Sequence, residues 1–169
     1  MGDGRPKYKA QVLRWAMYDI ASSNYHAIVP AFFGLYFLSV AGAGNAAAKA
    51  WWGAAVAMSL LVAAVLAPLV GAWADRTGRW FGALFGLTCV CVLGTLLLPL
   101  TARAGLFVGC LLFVVAQTGY TVASSVYDSL VVEVAPASHR ARASAIGWSL
   151  GLVGGLAATF AALALVEGY

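Results

Sequence analysis

Polar and ionisable side chains recur at helical spacing within an apolar stretch near the N-terminus. Asp19, Ser23 and His26 stand at positions i, i+4 and i+7, so they share one face of a helix, and Ser22 borders that face. A carboxylate can bind a cation or a proton, and an imidazole can relay protons near neutral pH. The spacing therefore predicts a polar helix face that handles protons or a polar solute.

A second polar face follows in a later apolar stretch. Its members, with a bordering aromatic residue, are Gln117, Tyr120, Thr121, Ser124 and Asp128. Polar groups that face lipid are costly, so both faces should point inward or toward water. Single hydroxyls, such as those of Ser22 and Thr118, favour the alternative of interhelical hydrogen bonds. As units, the two faces predict a hydrophilic cavity that forms a substrate or proton pathway.

A charged turn separates two further apolar stretches. Its glycines and charged residues are Gly71, Asp75, Arg76, Gly78 and Arg79. Because the bilayer core tolerates charge poorly, this turn must lie at a membrane surface. We expect Gly71 to let its helix approach a neighbour, and Gly78 to permit the tight turn.

The composition indicates a membrane protein. Of the 169 residues, 63% are hydrophobic and 9% are charged, and the mean hydropathy is +0.89, whereas soluble domains carry about 25% charged residues. The apolar runs are long and continuous rather than alternating, so they predict an all-α, polytopic membrane protein and not a β-barrel. The net charge of +4 comes from basic residues beside these runs, which predicts contact with the lipid bilayer and not with nucleic acid.

Five segments are long enough to cross a membrane, which takes about 20 apolar residues. They are residues 15–40, 50–74, 80–101, 105–132 and 143–166, after an N-terminal tail of residues 1–14. Eight of the ten basic residues fall on the side of the tail, and lysine and arginine favour the cytoplasmic side. The N-terminus is therefore predicted to be cytoplasmic and Tyr169 to lie on the opposite side. The odd number of spans leads us to expect a fragment of a larger bundle.

The fifth span follows a charged loop and carries a glycine stripe. Gly147, Gly151 and Gly155 repeat at every fourth residue and predict a groove in which another helix packs closely. In the loop, Glu133 lies close in sequence to Arg140 and Arg142. We expect an interfacial ion pair between this carboxylate and one of the arginines.

Motifs of enzymes and metal sites are absent from the sequence. It contains no His-Glu-x-x-His and no Gly-x-Ser-x-Gly. Cys89, Cys91 and Cys110 lie inside apolar runs and are interpreted as small buried hydrophobic residues. We therefore expect no enzyme activity, no cofactor, no metal and no disulfide framework.

The charged turn resembles the signature that the major facilitator superfamily carries between helices 2 and 3, although Trp80 stands where a basic residue is usual. Three further stretches are similar to the autophagy-related vacuolar effluxer-like branch of that superfamily: Trp15–Ser23, Val126–Pro136 and Arg142–Gly155. The chain departs from the branch pattern at four positions, which are Ile20, Ser22, Asp128 and Val132.

The resemblance implies a transporter of twelve helices in two six-helix halves around a central cavity. This chain would supply five helices of the first half, in which helices 1 and 4 line the cavity. The turn from Asp75 to Arg79 would latch the cytoplasmic side in the outward-facing state, against a helix of the missing C-terminal half. The glycine stripe of helix 5 would pack against that half as well.

The leading functional hypothesis is a segment of a secondary transporter for a small solute, with an exported amino acid as the candidate. Such a segment lacks half of the cavity, so we expect it to be inactive alone. The alternative is a non-transporting membrane module or assembly partner. The Ala- and Gly-rich chain suggests the bacterial inner membrane.

Overall fold

Every regular element in the described part of the chain, residues 5–168 of the computed structural model, is helical. Five long helices follow one another: α1 (Arg5–Ile28), α2 (Ala48–Thr77), α3 (Trp80–Leu97), α4 (Leu106–Ser129) and α5 (Arg140–Glu167). Their lengths follow from the continuous apolar runs, because a helix satisfies all its backbone groups internally.

Five helical stretches are long and apolar enough to cross a membrane. Extended by short helical pieces, they are Gln11–Ala41, Ala48–Thr77, Trp80–Ala104, Leu106–Val134 and Ala137–Val166. Each predicted span falls on one of them. The prediction of an all-α, polytopic membrane protein is confirmed.

The first span differs from the simple helix that the sequence predicts. Its helix already begins at Arg5, so residues 5–14 of the predicted tail are helical, and residues 1–4 lie outside the described residues. After Ile28 the chain continues as a π-helix (Val29–Phe33), one α-turn (Gly34–Tyr36) and a second π-helix (Phe37–Ala41). Pro30 lies in the first π-helix, where its missing N–H removes a hydrogen bond from the helical ladder.

Short irregular segments join the remaining helices. Gly78 ends α2 in the left-handed conformation at φ +66°, and its N–H donates to the carbonyl of Ala74 at 2.8 Å. A 3₁₀ turn (Leu98–Leu100) and an α-turn (Thr101–Ala104) follow α3. An α-turn (Val131–Val134) and a 3₁₀ turn (Ala137–His139) follow α4.

The chain forms two compact units, and the first combines residues up to Ala31 with those from Asp128 onward. Within it, α1 and α5 pack along each other. A small apolar cluster of Val12, Ala135 and Ala143 lies near the start of α5. This unit holds the polar face of the first span.

The second unit is Phe32–Tyr127. Its α2 and α4 meet in an aromatic cluster, in which the rings of Trp52 and Phe113 are 4.5 Å apart and Phe33 stacks on Phe113 at 6.0 Å. A further apolar cluster joins Ala74, Ala83 and Val126. This unit positions most of the second polar face and the charged turn.

Candidate functional site

The polar face of the first span lies against the backbone of α5. A Cβ placed on Gly151 would be 2.6 Å from Asp19 Oδ2 and 2.7 Å from Ser23 Oγ. Asp19 and Ser23 are both half-buried. Helical spacing on α1 and a missing side chain on α5 therefore bring a carboxylate and a hydroxyl together at one point.

The glycine stripe of α5 packs against α1 of the same chain. The resemblance had implied packing against a second half as well, which stays a prediction. At Gly154 a Cβ would lie 2.9 Å from the carbonyl oxygen of Ile20, and at Gly155 it would lie 3.4 Å from Ala27 Cβ. Gly147, also predicted for helix packing, is buried. The stripe thus has a partner within the first unit.

Asn24 is a contact residue that was not among the predicted site residues. With its amide nitrogen turned toward α5, it donates to the carbonyl of Gly154 at 3.1 Å and to that of Ile20 at 3.2 Å. The orientation of the amide is fixed by these acceptors. Asn24 directly follows Ser23 of the predicted polar face. This position in the sequence could have indicated it as a contact residue.

Asp128 is the second carboxylate of this unit. Its side chain is exposed, whereas that of Asp19 is half-buried. Among the side chains that the structure describes, neither carboxylate forms an ion pair with an arginine or lysine. Ser22 donates from Oγ to the carbonyl of Asp19 at 3.4 Å, and His26 is exposed. Among the described side chains, the unit therefore presents two carboxylates that have no arginine or lysine partner.

The remaining members of the fourth-span face are half-buried and belong to the second unit; they are Gln117, Tyr120, Thr121 and Ser124. Thr121 donates from Oγ1 to the carbonyl of Gln117 at 2.8 Å within the same helix. The side-chain oxygen of Gln117 is buried without a hydrogen-bond partner among the described residues. That the two polar faces align across one cavity stays a prediction.

Thr118 joins two helices of the second unit. Its Oγ1 donates to the carbonyl of Ser59 in α2 at 3.3 Å, and both residues are buried. This agrees with the interhelical hydrogen bond predicted for single hydroxyls. Thr118 is thus a packing residue.

The charged turn is open to its surroundings in this chain. Asp75, Arg76 and Arg79 are exposed, and no ion pair joins them within the described residues. The space beside Gly71 is empty to 4 Å, so the helix neighbour expected there is not among the described residues. Gly78 makes the tight turn that the sequence predicts.

The loop before α5 is held by hydrogen bonds, and this differs from the expected ion pair. Arg140 donates from Nε to the carbonyl of Ala135 at 3.3 Å and from Nη2 to that of Val132 at 3.4 Å. Glu133 is exposed and forms no ion pair with Arg140 or Arg142 in the described part of the chain. The guanidinium reaches the last carbonyls of the preceding helix, which need donors.

The three cysteines take the positions that the sequence indicates. Cys91 and Cys110 are buried and Cys89 is half-buried, and all three carry free thiols. Among the described residues, no three histidine, cysteine or acidic side chains are grouped so that they could hold a metal ion.

Comparison with known proteins assigns the chain to a protein family. A sequence profile of the Major Facilitator Superfamily matches residues 5–159. The uncharacterized MFS-type transporter YxiO of Bacillus subtilis (strain 168) is 30% identical over 155 residues, which are 88% of this chain and 36% of that protein. The chain thus spans about a third of the length of this curated relative. No solved structure matches the chain.

Proposed function

Because the chain belongs to the major facilitator superfamily, we propose that it forms five helices of the N-terminal half of a secondary transporter that works by alternating access. Membership of this family makes transport of a solute across a membrane the general function. The match over residues 5–159 is the observation that carries the proposal. We call the chain, joined to the second half that the family fold implies, the complete transporter.

The charges inside the spans favour a solute that carries a positive group. The five predicted spans contain no lysine or arginine, and their acidic residues are Asp19 and Asp128. Carboxylates at membrane depth are costly unless they face water or a cation. An amino acid presents an ammonium group that such carboxylates can bind. Export of an amino acid rests in addition on the resemblance to the autophagy-related effluxer-like branch.

The orientation of the chain in the membrane is part of the same proposal. Eight of the ten basic residues cluster on the side of the N-terminus, which we place in the cytoplasm. The relative from Bacillus is consistent with a bacterial inner membrane. On this side, the exposed Asp75 and Arg79 would latch against the second half in the outward-facing state. Their exposure in the isolated chain supports this, because a latch partner must be able to reach them.

Transport assays on the complete transporter test the proposal. Proteoliposomes would be supplied with a panel of radiolabelled amino acids, and we expect saturable transport of at least one of them. Asp19→Asn should lower kcat/KM about tenfold or more, since a contact to a charged group contributes about 1.5–3 kcal/mol. Glu133→Gln, which removes an exposed carboxylate from the loop, is the matched control and should transport normally. Normal transport by Asp19→Asn would remove this carboxylate from the pathway.

A non-transporting membrane module is the competing function. If the chain is such a module, the complete transporter should insert and fold normally but show no saturable flux of any solute. The same proteoliposomes therefore separate the two functions.

A further inference from the structure

The carboxylate of Asp19 occupies the space in which a side chain of residue 151 would stand. A Cβ on Gly151 would lie 2.6 Å from Asp19 Oδ2 and 2.9 Å from Asp19 Cγ, well inside contact distance. Asp19 has no arginine or lysine partner among the described side chains. The bare backbone of α5 at Gly151 therefore leaves the room that this carboxylate occupies.

The neighbouring glycines of α5 have different surroundings. The atoms closest to Gly151 are the ends of the Asp19 and Ser23 side chains, which can rotate away. At Gly154 a Cβ would lie 2.8 Å from Ile20 Cγ2, and it would also meet backbone atoms, the carbonyl oxygen of Ile20 at 2.9 Å and its Cα at 3.2 Å. At Gly155 the nearest atoms are 3.4 Å away, which is ordinary contact. Of Gly151, Gly154 and Gly155, it is Gly151 whose missing side chain makes room for polar side-chain ends.

The register of α1 on α5 is fixed independently of Gly151. The amide of Asn24 bridges the carbonyls of Gly154 and Ile20 at 3.1 and 3.2 Å. The hydrogen bond to Gly154 joins α1 and α5 through atoms other than the Asp19 carboxylate, so it can persist when that carboxylate moves. A change at residue 151 can therefore redirect Asp19 without separating the helices.

We propose that Gly151 is a positioning residue, which holds the carboxylate of Asp19 against α5 in the direction required for binding the solute or its coupling cation. The proposal rests on the transport function proposed for this chain. It assigns the three glycines three roles: Gly151 positions Asp19, Gly154 sets the distance between α1 and α5, and Gly155 tolerates a methyl group.

Chemical labelling of Asp19 tests this positioning without a known solute. The chain in lipid vesicles would be treated with dicyclohexylcarbodiimide, an apolar reagent that adds to carboxyl groups, and the peptide carrying Asp19 would be followed by mass spectrometry. In Gly151→Ala the methyl group must displace the carboxylate from its position against the backbone of α5. We expect its labelling rate to rise about two- to tenfold, as for a side chain moved to another rotamer, with an unchanged thermal unfolding midpoint.

Two matched variants complete the test. Gly155→Ala should change neither the labelling rate nor the midpoint, and Gly154→Ala should lower the midpoint because its methyl group meets backbone. Unchanged labelling in Gly151→Ala, an equal rise in Gly155→Ala, or unfolding of Gly151→Ala would each overturn the positioning role. If labelling changes as expected but Asp19→Asn transports normally, the positioning stands and the transport role of Asp19 fails.

Discussion

Asp19 and Ser23 meet the backbone of α5, and this contact defines the polar face of the first span at the residue scale. The sequence predicted that Asp19, Ser23 and His26 share a face, because helical spacing alone decides which side chains align. The spacing could not indicate which helix packs against that face. The structure shows α5 beside Asp19 and Ser23, while His26 at the end of α1 is exposed.

Cysteine accessibility tests whether the exposed end of this face meets water. In a chain whose three cysteines are replaced by alanine, His26→Cys should react readily with a water-soluble thiol reagent, because residue 26 continues the polar face. Ala21→Cys is the matched control, since Ala21 is also exposed but lies on the opposite side of α1. The rates in membrane vesicles are compared, and equal slow labelling at both positions would mean that the face meets lipid or protein.

At the element scale, the turn between α2 and α3 is the part of the fold that the sequence predicted most directly. Charges mark a membrane surface, and a glycine marks the left-handed residue that ends a helix. The π-helices after Ile28 were not predicted. They depend on how Phe33 and Phe37 pack with Trp52, and a single apolar stretch carries no signal for such long-range packing.

The loop before α5 shows the same limit of prediction. Proximity in sequence suggested an ion pair between Glu133 and Arg140, whereas Arg140 donates to backbone carbonyls. The carbonyls at a helix end become apparent only once the end of the helix is known. The charge pattern therefore predicted where the surface loop lies, whereas the local backbone geometry determines which groups accept hydrogen bonds from Arg140.

Two glycines of the charged turn should respond differently to alanine. Gly78→Ala should destabilise the chain by about 1–2 kcal/mol, because a Cβ is strained in the left-handed conformation that Gly78 adopts at φ +66°. Gly71→Ala should be tolerated, since Gly71 is helical and has open space beside it. Thermal unfolding in detergent measures both, and equal stability of the two variants would contradict the role of Gly78.

At the scale of the whole molecule, the chain is a set of five helices with an apolar outer surface and a small number of polar positions. Large side chains such as Trp148, Leu152 and Phe160 are exposed on α5. Composition and hydropathy predicted the five membrane-crossing stretches, because a membrane-spanning helix is specified by length and apolarity. The arrangement of the two polar faces in one cavity depends on the complete transporter and stays a prediction.

The latch proposed for the charged turn is a property of the complete transporter. Asp75→Asn should impair transport while insertion and folding remain normal, because Asp75 is exposed and supports no contact within the described residues. Glu133→Gln is the control, since it removes an exposed carboxylate from a different loop. Flux into proteoliposomes is measured for both variants, and undiminished flux with Asp75→Asn would exclude the latch.

Transport by the chain alone, compared with the complete transporter, tests the central claim most directly. Both are reconstituted at equal protein density, and flux of the amino acid that the complete transporter accepts is measured against its concentration. We predict saturable flux with the complete transporter and only the leak of empty liposomes with residues 1–169, because the proposed mechanism needs a second half to build the cavity and to alternate access. Saturable flux with residues 1–169 alone would contradict this account.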